Sequence, residues 1–108
     1  MKGKIDLSKC STFIVFDANS FVLNCPVHCT DYSVAIDSAF SMIRECCRSH
    51  LNCYGVVIYC FEKQYNSYPK CLTFISLGEI VEQLIANKKI DREELLSDDF
   101  KSLNNMLG

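Results

Sequence analysis

Three apolar runs rich in β-branched and aromatic residues, Thr12–Asp17, Tyr54–Phe61 and Cys71–Ser76, set most of what this chain is able to become. Between the second and third runs lie only nine residues, Glu62–Lys70. That is too short for a helical crossover, so the two runs are expected to form an antiparallel hairpin closed by the polar turn EKQYNSYPK. Between the first and second runs there is room for a full helix, which favours a parallel, right-handed βαβ crossover.

The helix is expected from Asp31 to about Ser49. Tyr32, Ile36, Ala39, Phe40, Ile43 and Cys47 recur at spacings that line one face. Thr30 or Asp31 suits its N-cap, since either side chain is able to accept a free first-turn N–H. Residues 18–30, ANSFVLNCPVHCT, contain Asn, Ser and Pro and read as a loop, and residues 1–11 as a leader. After the hairpin the pattern turns helical. Ser76 and Glu79 have the S-x-x-E spacing of a capping box ahead of Ile80, Val81, Leu84 and Ile85. Asp91 and Glu94 suggest a second start, and Ser97 opens a third segment with Phe100, Leu103 and Leu107 on one face.

The expected architecture is therefore α/β: a three-stranded mixed sheet in the order 3-2-1 with flanking helices. Strand one is the most apolar of the three, reading as a strand covered on both faces, yet this order leaves it at an open edge. The simplest reading is that strands beyond it are missing, so that residues 12–108 form the first half of a doubly wound, Rossmann-type domain. Such a product is expected to be marginally stable, or to associate through the edge of strand one.

Composition narrows the partners. Of 108 residues, 49% are hydrophobic and 22% charged, which is globular and not the composition of a disordered tail. The net charge of −2 carries none of the basic excess with which a domain grips nucleic acid by itself. After MKGKIDLSKCST the apolar run is too short for a secretory signal, and no stretch approaches the ~20 apolar residues that span a bilayer. The eight cysteines therefore read as reduced and mostly buried thiols of a cytosolic or nuclear protein.

The order of parts resembles the opening of a von Willebrand factor A domain, and more particularly the amino-terminal A-type domain of the Ku seventy-kilodalton subunit. FIVFDANSF, Phe13–Phe21, resembles the family's first strand with its Asp-Ala-Ser end. DYSVAIDSAFSMIREC, Asp31–Cys46, sits where its first helix begins. YGVVIYCFEKQYNS, Tyr54–Ser67, is similar to the second strand with its Glu-Lys turn, and DDFKSLNNMLG to the helix leading into the second half. The resemblance implies a nuclear, non-catalytic module of DNA double-strand-break repair by non-homologous end joining. It implies a heterodimer with the other Ku subunit, contacts with repair proteins, no cofactor, and DNA met only through the complex. Another nuclear A-type domain, such as that of a TFIIH core subunit, is the neighbouring alternative.

Metal-binding A-type domains place Asp-x-Ser-x-Ser after strand one, because a hard cation wants carboxylate and hydroxyl oxygens. The corresponding residues are Asp17, Asn19 and Phe21, and a phenyl ring offers no lone pair. Asp17 and Asn19 are a remnant of that site at most, and Asp17 is expected to anchor the loop by accepting backbone N–H groups. Some members of the family carry a lysine able to form a Schiff base in this loop; the matching Ser20 is unable to form an imine.

Cys25, His28 and Cys29, in C-P-V-H-C, are weak zinc candidates without a second C-x-x-C pair, His50 with Cys46 or Cys47 completing the set only by chance of folding. A reactive Cys25 or Cys29 beside His28 lacks a third group to orient the imidazole. Cys46 and Cys47 are expected to pack as small apolar groups. Tyr59, Tyr65 and Tyr68 have only Lys63 and Lys70 as basic neighbours, too little for base stacking. The acidic Asp91–Glu94 and Asp98–Asp99 clusters read as helix starts and solvated surface.

Overall fold

The computed structural model describes residues 7–17, 27–48, 55–62, 70–101 and 103. Four strands, β1 (Cys10–Asp17), β2 (Val27–Cys29), β3 (Val56–Glu62) and β4 (Cys71–Ile75), form one open sheet in the order β2-β1-β3-β4. Every neighbouring pair is antiparallel. Helices α1 (Tyr32–Arg48), α2 (Leu77–Ala86) and the single turn α3 (Arg92–Leu95) follow in chain order, with 3-10 turns at Leu7–Lys9 and Asp98–Phe100.

The expected α/β class holds, and the hairpin of β3 with β4 forms, its turn closed by the Glu62 N–H donating to the Lys70 carbonyl at 3.0 Å. The sheet itself differs from the expected three-stranded mixed sheet in the order 3-2-1. The physical reason is β2, three residues hidden in what reads as a loop. It runs back antiparallel beside β1, pairing Phe13 with Cys29 and Val15 with Val27. The chain has therefore reversed once before α1 begins, and α1 reverses it again. β3 then starts opposite the end of β1, with Asp17 paired to Val56, and runs antiparallel to it. One short extra pass turns a parallel crossover into an antiparallel one.

The same strand removes the open edge. β1 is flanked by β2 on one side and β3 on the other, so its apolar run lies inside the sheet and no missing neighbour is needed to explain it. The inference of an unpaired β1 edge, and with it of association through that edge, is overturned.

One face of the sheet and the helices share the core. Phe13 and Val15 of β1, Val56, Ile58 and Cys60 of β3 and Ile75 of β4 point into it. From α1 come Ala35, Ile36, Ala39, Met42, Ile43, Cys46 and Cys47, and from α2 Leu77, Ile80, Val81 and Leu84. Fully burying a Val, Leu or Ile side chain stabilises by about 1.5–3 kcal/mol, so this shared layer is the main source of stability. Phe100 and Leu103 are buried beneath the far end, where the Phe100 ring stacks on Phe40 with centroids 6.3 Å apart.

Local signals set the helix ends. Asp31 caps α1, its Oδ1 accepting the Ser33 N–H at 2.8 Å, and Asp91 caps α3 through the Glu94 N–H at 2.7 Å. Ser76 occupies the N-cap position of α2 in extended conformation, but its side chain makes no cap hydrogen bond, so the expected capping box is not closed from that side. At its other end α2 stops in a Schellman motif. The Lys89 N–H donates to the Leu84 carbonyl and the Lys88 N–H to that of Ile85, with Lys88 in the left-handed region at φ 58°.

Candidate functional site

Asp17 ends β1 on the core side, as the third inward residue after Phe13 and Val15. It is 5% exposed, the one buried charged residue among those described, and is engaged in a polar or electrostatic contact of its own. Its place opposite Val56 puts it where β1 hands over to residues 18–26. Asn19, Ser20 and Phe21, the rest of the expected metal remnant, lie outside the described residues.

The C-P-V-H-C stretch is pulled apart by its strand. Successive side chains of a strand point to opposite faces, so on β2 the exposed His28 sits on the outer face opposite Ile14, while Cys29 is buried against the helices. The Cys29 Sγ lies 3.9 Å from the Ser38 hydroxyl of α1. His28 and Cys29 are thus unable to share one ion or one reacting atom, and Cys25 lies outside the described residues, as does His50. Among the described residues, no group of three His, Cys, Asp or Glu side chains is placed to hold a metal ion.

Of the described thiols, those of Cys29, Cys46, Cys47 and Cys60 belong to the core, while Cys10 is half-buried and Cys71 exposed. Cys46, Cys47 and Cys60 are all buried, and no described cysteine is in a disulfide. Burial pushes the Cys60 thiol up from its ordinary 9.0 to about 12, helped by the neighbouring Cys10 and Cys71 thiols and by a hydrogen bond with Cys10. The β-bulge between Cys10 and Thr12 is what turns Cys10 to that side, opposite Glu62. A thiol held protonated in this way is a poor nucleophile. Tyr32, at the start of α1 with its ring 5.6 Å from that of Phe13, is likewise raised from 10.0 to about 12, first by burial and then by Cys60 and Glu79.

A shallow cleft between α1 and the C-terminal turns is lined by Arg44, Arg48, Glu94 and Phe100. Its charges are mixed, and the Arg44 guanidinium lies 5.4 Å over the Phe40 ring, which is in turn stacked on Phe100. The Phe40–Phe100 stack is the contact here that joins α1 to the turn at Asp98–Phe100.

What remains is the second face of the sheet. Ile14 and Phe16 of β1, Val57, Tyr59 and Phe61 of β3 and Phe74 of β4 point away from the core, and among the described residues no helix covers them. Phe16, Tyr59, Leu72 and Phe74 are 36%, 37%, 36% and 57% exposed. Tyr59 and Phe74 are cross-strand partners with ring centroids 6.0 Å apart, a pre-ordered aromatic pair in the middle of this face. Contiguous exposed apolar patches larger than a few hundred Å² mark interaction sites. The signal was present in the runs FIVFD, VVIYCF and CLTFI, which are apolar at both alternating positions. In the first of these runs it reads as coverage on both faces, because a strand's composition does not say whether its cover belongs to the same chain.

The described helices include none long and apolar enough to cross a membrane. Comparison with protein-family models, with curated proteins and with solved structures finds no match.

Proposed function

We propose that this protein is a non-catalytic interaction module that works by burying the open apolar face of its sheet against another protein. The single observation that carries the reading is that face, with Phe16, Tyr59, Leu72 and Phe74 exposed side by side on three neighbouring strands. A thiol or thiol–imidazole site has less support among the described residues. The His28 imidazole and Cys29 thiol sit on opposite sides of β2, and the Cys60 thiol is held protonated. A net charge of −2 favours a protein partner over direct grip on nucleic acid.

For the biological setting, the proposal follows the resemblance of Phe13–Phe21, Asp31–Cys46 and Tyr54–Ser67 to the A-type domain of the Ku seventy-kilodalton subunit. The setting is then nuclear, in end joining of broken DNA, with the other Ku subunit as partner and DNA engaged through the complex. The antiparallel pairing of β1 with β3 departs from the parallel crossover that this resemblance implies, so the setting rests on the quoted stretches and the module reading on the face. The test is coprecipitation of the purified chain with the other Ku subunit. Retention is expected; failure to retain it under conditions where the chain is folded removes the setting.

A further inference from the structure

We infer that Cys10 and Cys60 are an oxidation site of this protein, two thiols on neighbouring strands that a hydroperoxide converts into a disulfide between β1 and β3. The pair lies on the core side of the sheet and is independent of the open face.

The register brings the two thiols together. Across β1 and β3, Cys10 is paired with Glu62 and Phe13 with Cys60, so the cysteines sit diagonally, two positions apart along β3. Both face the core: Cys60 is fully buried, and Cys10 packs half-buried at the core's margin. The thiols are hydrogen-bonded to each other, and because the bond holds the Cys60 proton, the Cys60 S–H donates and the Cys10 sulfur accepts. Other described thiols turn elsewhere. The Cys29 Sγ lies beside the Ser38 hydroxyl, and Cys71 donates to the Thr73 carbonyl at 3.5 Å. Diagonal neighbours in a sheet have Cα atoms about 7–8 Å apart, the upper limit for a disulfide, so closure draws backbone inward. The β1–β3 ladder is already interrupted by the bulge between Cys10 and Thr12. The movement therefore falls on the end of β1 and spares its paired centre.

Exposure sets the order of events. Cys10 is open to a small oxidant, whereas Cys60 is shielded from solvent and inert while its proton is held. The Cys10 sulfur attacks one oxygen of the peroxide, the O–O bond breaks, and the thiol becomes a sulfenic acid while the other oxygen leaves as water. The Cys60 sulfur then attacks the Cys10 sulfur. The S–O bond breaks, and the hydroxyl leaves as a second water with the Cys60 proton. The two thiols have given up two electrons and two protons, and hydrogen peroxide has taken them to become water. Thiol reductants reverse the step by exchange at the new bond. The product ties the first strand of the sheet to its central neighbour.

The experiment treats the full chain, reduced and then freed of reductant, with stoichiometric hydrogen peroxide, followed by alkylation, digestion without reduction and mass spectrometry. Peptides joined through Cys10 and Cys60 are expected as the main linked species, two hydrogens lighter than the separate thiols and released by dithiothreitol. Cys71→Ser, at an exposed position, should keep the link, and Cys10→Ser should abolish it. Far-UV circular dichroism should match the parent's in both variants. In the chain unfolded with guanidinium chloride, the same treatment should scatter linkages over the eight cysteines. Three results each overturn the pair: Cys10 ending as a sulfinic acid with no link, Cys10 linked mainly to another cysteine, or the Cys10–Cys60 link forming as often in the unfolded chain as in the folded one. Capture of the other Ku subunit, or its failure, bears only on the module reading, since no residue of the open face takes part.

Discussion

Tyr32 and Cys60 are the described residues whose ionisation the fold resists most, and for the same reason: Cys60 is fully buried and Tyr32 half-buried against the core. In the unfolded chain the thiol ionises near 9.0 and the phenol near 10.0, whereas the folded protein holds both protons to about 12. Below pH 9 both groups are neutral in both states and their contribution is fully present. As pH rises from 9 to 12 the unfolded chain alone gives up protons, so stability falls. Thermal melts across that range should show a falling midpoint, and Tyr32→Phe should flatten the part of the fall above pH 10. A midpoint independent of pH over this window would contradict the burial of both groups. Lys88 is the other residue in an unusual state. Its φ of 58° places a side chain where glycine is at ease. Lys88→Gly should stabilise by about 0.5–1 kcal/mol, since relief of the left-handed strain outweighs the extra freedom glycine brings to the unfolded chain. Chemical denaturation measures it directly.

Among the elements, α1 is the one that both reverses the chain and roofs the core, so its start matters. Asp31→Ala removes the acceptor for the Ser33 N–H and should cost about 1 kcal/mol, read as a shift of the denaturation midpoint without a change in slope. The cap was readable beforehand, because Thr30-Asp31 precedes the first residue of a strongly periodic run. The heavy apolar strands β1, β3 and β4 were readable for a similar reason, each being a β-branched and aromatic run bounded by polar residues. β2 was not. Three residues following Pro26 bury only Cys29, and no periodicity is visible over so short a length. The closed capping box at Ser76 also failed to appear, although the spacing was right, because the Ser76 side chain makes no cap hydrogen bond. Of the candidate site, Asp17 at the end of β1 was legible as a buried strand-end acid, while the separation of His28 from Cys29 required the strand that was missed.

For the molecule as a whole, the two faces of the sheet should respond oppositely to substitution. Ile43→Ala, at a fully buried position where α1 meets the sheet, should destabilise by about 2–5 kcal/mol. Phe74→Ser, on the open face, should leave thermal melting nearly unchanged and reduce binding of a hydrophobic dye. Equal losses at both sites would mean that the second face is packed after all. Element types, their approximate limits and the inward stripe of α1 follow from local preference and periodicity, which act over a few residues and are written in the chain. Strand direction, the partner on the far side of β1 and the choice of covered face depend on where distant segments meet. A three-residue pairing changed all of the first two, and an apolar alternation looks identical whether its cover is intramolecular or comes from elsewhere. Those matters are set by packing across the molecule, which is why they appear only once the chain is folded.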